Sequence, residues 1–261
     1  MLTIGVDIGG TSIKGGYVTD EGNVLDKFSL PIIKGQSGEE ILNALADLIN
    51  DFINESKVDK KEIKGIGVGC PGAIDSENGI VDYSNNLCWE NLPLVEIISS
   101  KTGLPVKVSN DANVATLGEA AFGAGKLYKN IIMLTLGTGV GGGIVINNKL
   151  YEGNQSKGAE LGHAVVVIDG EPCTCGRRGC LEAYASATAL MKHGRLVANK
   201  HPESLMWKMA NGEESKIDGK VIFDACKEGD QTANEIVDWY VKYLGEGILN
   251  YCNIFRPDAV I

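Results

Sequence analysis

The chain has 261 residues, enough for one or two domains around a sizeable buried core. Hydrophobic residues make up 44%, charged residues 22%, and the formal net charge is −10, which excludes the broad basic face that nucleic-acid binding requires. No apolar run reaches the roughly 18 residues of a membrane span, and the opening MLTIGVDIGG lacks the basic segment and cleavage site of a signal peptide.

Residues 2–30 read as a three-strand meander. Leu2–Asp7 leads into a glycine turn, Ser12–Val18 returns, and Asn23–Leu30 follows the Asp20-Glu21-Gly22 turn. An amphipathic helix comes next, its stripe formed by Ile41, Leu42, Leu45, Leu48, Ile49, Phe52 and Ile53. Ser37 and Glu40 form a capping box at its start. Ile63–Cys70 and Pro105–Ser109 read as strands, Asp111–Phe122 as a helix, and Asn130–Leu136 as an apolar strand. A hairpin turning at Asn147-Asn148 follows, then helices over roughly 183–198 and 232–252. Arg256–Ile261 resembles the start of a strand. A strand that begins at the last residues points to a sequence cut short, with a frayed terminus as the alternative.

Three groups of residues carry chemistry. Asp7-Ile8-Gly9-Gly10-Thr11 and Leu136-Gly137-Thr138-Gly139-Val140-Gly141-Gly142-Gly143 each lie between two strands, a weak internal repeat that suggests a duplicated α/β architecture with a nucleotide between the halves. Glycines let backbone N–H groups approach an anion, Thr11 adds a hydroxyl, Lys14 a point charge, and Asp7 can hold Mg²⁺. A plain glycine hairpin accounts for either loop taken alone, and the Walker A spacing is absent.

Asp111 stands between a strand and a helix, where open α/β sheets place ligands, but an aspartate there also reads as a helix cap. The spacing H-x9-C-x-C-x4-C from His163 to Cys173, Cys175 and Cys180 supplies one imidazole and three thiolates, the donor set of a closed, structural zinc site. Seven cysteines without a signal segment point to a reduced, cytoplasmic protein rather than to disulfides.

These motifs occur in one order, with Asn110-Asp111-Ala112-Asn113, Gly158–His163 and Cys173–Glu182 between and after the glycine loops. Together they closely resemble the ROK family of sugar kinases and regulators, and within it bacterial glucokinases, over essentially the whole chain. The resemblance implies an actin-like, ribonuclease-H-like α/β fold with two lobes of mixed sheets flanked by helices, placed at residues 1–117 and 118–261. It implies transfer of the ATP γ-phosphoryl to a hexose O6, most readily glucose, with N-acetylmannosamine, fructose or allose as other substrates.

By matching positions, Asp111 resembles the catalytic base. Asn110, Glu160, His163 and Glu182 resemble sugar ligands, with Asn85 and Gly72 nearby, and His163, Cys173, Cys175 and Cys180 resemble zinc ligands. Thr11, Thr138 and Gly139 resemble phosphate contacts, beside Asp7, Gly9, Gly10 and Lys14. Family members carry a further adenosine-binding segment after the strand that begins here at Asp258, so weakened ATP affinity is expected of a chain that stops there. A homodimer is expected. A sugar-responsive regulator would need an N-terminal DNA-binding extension, which the strand beginning at Leu2 argues against. A catalytically idle sugar-binding protein is the other rival.

Overall fold

The computed structural model describes residues 1–33 and 35–261. The chain forms two compact units. The first comprises Met1–Ile131, Gly143–Ala159 and Ile261, the second Ile132–Gly142 and Glu160–Val260.

The first unit is built on a five-stranded sheet of β1 (Leu2–Ile8), β2 (Ser12–Thr19), β3 (Val24–Pro31), β4 (Ile63–Cys70) and β8 (Val106–Asn110), in the order β3-β2-β1-β4-β8. The first three strands are the expected meander, and β1, β4 and β8 run parallel. Helix α1 (Gly38–Ser56) starts at the expected capping box: Glu40 N–H donates to Ser37 Oγ at 3.2 Å, and Ser37 N–H to Glu40 Oε2 at 2.7 Å. Its stripe Ile41, Leu42, Leu45, Ile49 and Ile53 is buried in one core with Ile4, Val6, Ile8, Ile66 and Val68 of the sheet. Fully burying each such side chain contributes about 1.5–3 kcal/mol against conformational entropy. A small sheet of β5 (Ala73–Asp75), β6 (Ile80–Ser84) and β7 (Trp89–Leu92) follows β4, and α2 (Leu94–Thr102) precedes β8. Helix α3 (Asp111–Phe122) leaves β8 directly.

Strands β9 (Ile131–Leu136), β10 (Val140–Ile146), β11 (Lys149–Tyr151) and β12 (Ala259–Val260) form a further sheet in the order β11-β10-β9-β12. The β10–β11 turn uses Asn147 and Asn148 at φ 51° and 61°, the left-handed pair of a tight hairpin.

In the second unit, the helix expected over 183–198 is two helices, α4 (Glu182–Ala185) and α5 (Ala187–Ala198). Ser186 breaks it. Its backbone is extended (φ −80°, ψ 158°), and its buried hydroxyl accepts the Ala189 N–H at 3.0 Å, starting a new helix. Helices α6 (Leu205–Met209), α7 (Gly219–Lys227) and α8 (Gln231–Phe255) complete the unit, with Leu181, Tyr184, Leu190, Ile222, Ile236 and Tyr240 in its core.

Candidate functional site

The parallel strands of the first unit bring their C-terminal ends together. Asp7 of β1 is in register with Gly69 of β4, and Gly69 with Ser109 of β8. Asp7 also faces Lys14 across the β1–β2 hairpin. The turn between them closes through Gly9 N–H to Ser12 O at 3.0 Å, leaving Gly10 and Thr11 exposed at its tip. Partial burial raises the Asp7 pKa above its ordinary value, the negative charge of Asp111 raises it further, and Lys14 lowers it.

Asn110, not Asp111, caps α3. The Asn110 side-chain oxygen accepts the N–H groups of Ala112 at 2.9 Å and Asn113 at 3.3 Å. Its amide nitrogen donates to Gly72 O at 3.1 Å. This corrects the reading of Asp111 as the cap. Asp111 is the first helical residue and exposed, with Oδ1 accepting the Ala112 N–H at 2.8 Å. Gly72 sits at φ 115°, and a Cβ there would lie 2.2 Å from Tyr83 O, so only glycine lets β4 turn this closely past β6. Asn85 is exposed just beyond that contact, after Ser84.

In the second unit, the loop between β9 and β10 is tied to the start of the helices. Ala187 N–H donates to Gly137 O at 2.9 Å, and Val140 N–H to Glu182 Oε2 at 3.0 Å. A Cβ on Gly139 would lie 2.3 Å from that same oxygen. The other oxygen, Glu182 Oε1, accepts the Thr174 hydroxyl at 2.8 Å and lies 3.6 Å from Cys173 Sγ. Glu182 therefore joins the glycine loop to the cysteine loop, a bridge that residue types and spacing do not reveal. Thr138 is exposed at the tip of its loop.

The ligand atoms of His163, Cys173, Cys175 and Cys180 all lie within 4.8 Å of one another. Cys173 Sγ is 3.6 Å from His163 Nδ1, and Cys175 Sγ is 3.7 Å from Cys180 Sγ. Zinc bonds of about 2.3 Å to sulfur and 2.05 Å to nitrogen define a tetrahedron with edges of about 3.8 Å (S···S) and 3.6 Å (S···N). The donor set and its spacing therefore fit zinc. Nδ1 is the nitrogen in the cluster, so Nε2 points the other way. His163 closes a 3-10 turn over Leu161–His163, its N–H donating to Glu160 O at 3.0 Å, and Glu160 is exposed at the start of that turn.

A hollow of about 900 Å³ in the first unit runs along the sheet past Gly5, Gly67, Ser109 and Glu152, and none of the expected phosphate or sugar ligands lines it. That hollow therefore does not gather the residues expected to bind phosphate or sugar.

The chain matches the ROK family over residues 3–261. It is 42% identical to a glucokinase of Thermotoga maritima over 259 residues, 99% of this chain and 80% of that protein. It is 36% identical over 227 residues to the xylose repressor of Caldicellulosiruptor bescii, 87% of this chain and 56% of the repressor. Among solved structures, a ROK family glucokinase from Streptomyces griseus in complex with glucose and AMPPNP is similar at a TM-score of 0.82 and 37% identity, covering 100% of this chain and 82% of that one. With a family match across nearly the whole length and strands, glycine loops and Cys/His cluster where that likeness requires them, the chain belongs to the ROK family.

Proposed function

We propose that this protein transfers the γ-phosphoryl group of ATP to O6 of glucose, with Asp111 accepting the hydroxyl proton. The observation that carries this reading is the arrangement at the β8–α3 junction. Asn110 holds the helix N-terminus, which leaves the exposed Asp111 carboxylate at the strand ends beside Asp7. Support comes also from the relatives, one named a glucokinase and one solved with glucose and AMPPNP.

In the reaction O6 bonds to the γ-phosphorus, the bond from that phosphorus to the β–γ bridging oxygen breaks, and ADP leaves. The O6 proton passes to Asp111. The transition state is loose, so the proton moves late and a carboxylate of ordinary basicity suffices. Asn110 and Glu160 are proposed to hydrogen-bond sugar hydroxyls, with Asn85 and Gly72 at the same end of the sheet. Thr11, Thr138 and the N–H groups around Gly9, Gly10 and Gly139 are proposed to meet the phosphates, with Lys14 as a nearby positive charge. Asp7 is the residue proposed to hold Mg²⁺, which when bound would neutralise phosphate charge.

Zinc on His163, Cys173, Cys175 and Cys180 is proposed as structural. Bound through Nδ1, it would fix the His163 tautomer and present Nε2 to a sugar hydroxyl. Glu182 spends one oxygen on Val140 and one on Thr174, so its remaining lone pairs are what a sugar would use. The working form is read as a cytoplasmic homodimer. Among the described residues no helix is long and apolar enough to cross a membrane.

The test is Asp111→Asn. Turnover of ATP with glucose should fall by about 10²–10⁴-fold, the usual contribution of a positioned base, while glucose binding measured by calorimetry stays within a few-fold. Near-normal turnover would remove Asp111 from this role. A panel of hexoses on the unaltered protein checks the substrate, and a sugar turned over better than glucose would replace it.

A further inference from the structure

Two segments that carry proposed sugar contacts, and the loop that leads on to a third, meet at one carboxylate that none of the motifs includes. Glu152 follows β11, half-buried. Its Oε1 accepts the Ser109 hydroxyl at 2.7 Å, and its Oε2 accepts the Ser76 hydroxyl at 3.4 Å. Ser76 also shares a 2.6 Å hydrogen bond with Ser156. Ser109 directly precedes Asn110 and Asp111. Ser76 directly follows β5, and Gly72 directly precedes it. Ser156 lies in the loop that runs on to Glu160. That loop is closed on the same residue, because Gly158 N–H donates to Glu152 O at 2.7 Å. It is anchored a second time by Lys157, whose Nζ lies 2.7 Å from Asp82 Oδ2 of β6.

We propose that Glu152 is a positioning residue for the sugar site: it sets the spacing between the Asn110–Asp111 junction, the Gly72–Ser76 turn and the 152–158 loop. The physical reason lies in its two oxygens. A carboxylate offers about four acceptor positions on two atoms, so it can take hydroxyl protons from two separate segments at once. Ser109 sits in register with Gly69 near the C-terminal ends of the parallel strands, so its main chain is fixed by the sheet. Holding its side chain fixes Ser76 and the 152–158 loop relative to that rigid strand. The local network should be worth more than its separate bonds, since each bond orders the partner of the next. Glutamine keeps an acceptor for Ser109, and its amide can donate to Ser76. Alanine keeps neither.

This inference rests on the sugar-kinase reading, so the experiment has one arm that needs no turnover. Glu152→Ala and Glu152→Gln are compared with the unaltered protein by hydrogen exchange and by kinetics. In Glu152→Ala, amide exchange in peptides covering 72–78, 109–113 and 152–158 should accelerate, with the core of β1 and α1 unchanged. The KM for glucose should rise by about five- to tenfold, the scale of one ordinary hydrogen bond's worth of lost positioning, with the ATP KM unchanged. Glu152→Gln should restore most of both. Unchanged exchange in those peptides overturns the proposal. So does uniform acceleration across the first unit with glutamine failing to rescue, which is the mark of a merely structural residue. If the unaltered protein turns over no hexose, the kinase reading fails and the exchange arm alone decides whether Glu152 sets this spacing.

Discussion

At the Asn110–Asp111 pair, asparagine and aspartate are equally good cap residue types, so the expectation that Asp111 caps rests on a propensity that cannot rank the two. The tie is broken by a long-range contact, Asn110 Nδ2 to Gly72 O, because only an amide can cap with its oxygen and donate with its nitrogen at once. Asp7 was legible as a strand-end carboxylate, but its environment was not, since the nearness of Asp111 comes from strand order. That environment has a consequence for stability. Asp7 titrates above its ordinary 3.8, chiefly through burial and then through Asp111. A carboxyl group with a raised folded-state pKa stabilises the fold below its unfolded pKa, and that stability is lost as pH rises through the folded value. Asp7→Asn, which cannot ionise, should therefore raise the melting temperature of the nucleotide-free protein at pH 7. The advantage should shrink as pH falls toward 3.8, while activity with ATP is lost. A lower melting temperature than the unaltered protein at pH 7 would mean that Asp7 ionises without strain.

Elements with long, regular patterns were readable: α1 from its stripe and capping box, the β1–β3 meander from its turns, and the β10–β11 hairpin from its asparagines. The strands β5, β6 and β7 were not, because three to five residues are too few for alternation to stand out. The α4–α5 break was hidden for a different reason. Serine inside a helical stretch is usually tolerated, and only its buried hydroxyl on Ala189 N–H makes it a cap. The two glycine loops were readable as loops, but what holds the second one was not. Glu182 on Val140 N–H fixes its backbone, and Gly139 leaves the room for that carboxylate. Gly139→Ala would push a methyl to within 2.3 Å of Glu182 Oε2. The side chain can swing aside, so the fold should survive, but the hydrogen bond to Val140 would be lost. The expected result is an ATP KM raised about tenfold, equivalent to about 1.4 kcal/mol, with a near-native circular dichroism spectrum. An unchanged ATP KM would show that this loop's geometry does not matter to the nucleotide.

Across the whole molecule, the sequence announced two glycine hairpins and a zinc donor set, but not how much of the second unit hangs on the latter. The ligands span residues 163–180, and the backbone between them is threaded by Val166 N–H to Gly179 O at 2.8 Å, Leu181 N–H to Ala164 O at 2.8 Å and Cys173 N–H to Arg177 O at 2.9 Å. Leu161, at the head of this segment, accepts the buried Tyr251 hydroxyl of α8. A short, loop-rich segment has little apolar core of its own, so a bound metal should supply much of its order. The first unit has its own core around Ile4, Val68, Leu45 and Ile49 and owes nothing to the cluster. Chelating the metal, or Cys175→Ser, should therefore act unevenly. Exchange protection should fall by at least about tenfold over 160–185 and in the part of α8 around Tyr251, a loss of about 1.4 kcal/mol or more. The strands β1 and β4 should keep theirs. Glucose binding should weaken in the same samples, because His163 and Glu160, the proposed sugar ligands, lose the turn that orients them. Equal protection with and without metal would make the cluster a passenger, and loss spread evenly over both units would mean that it anchors the whole chain rather than one half.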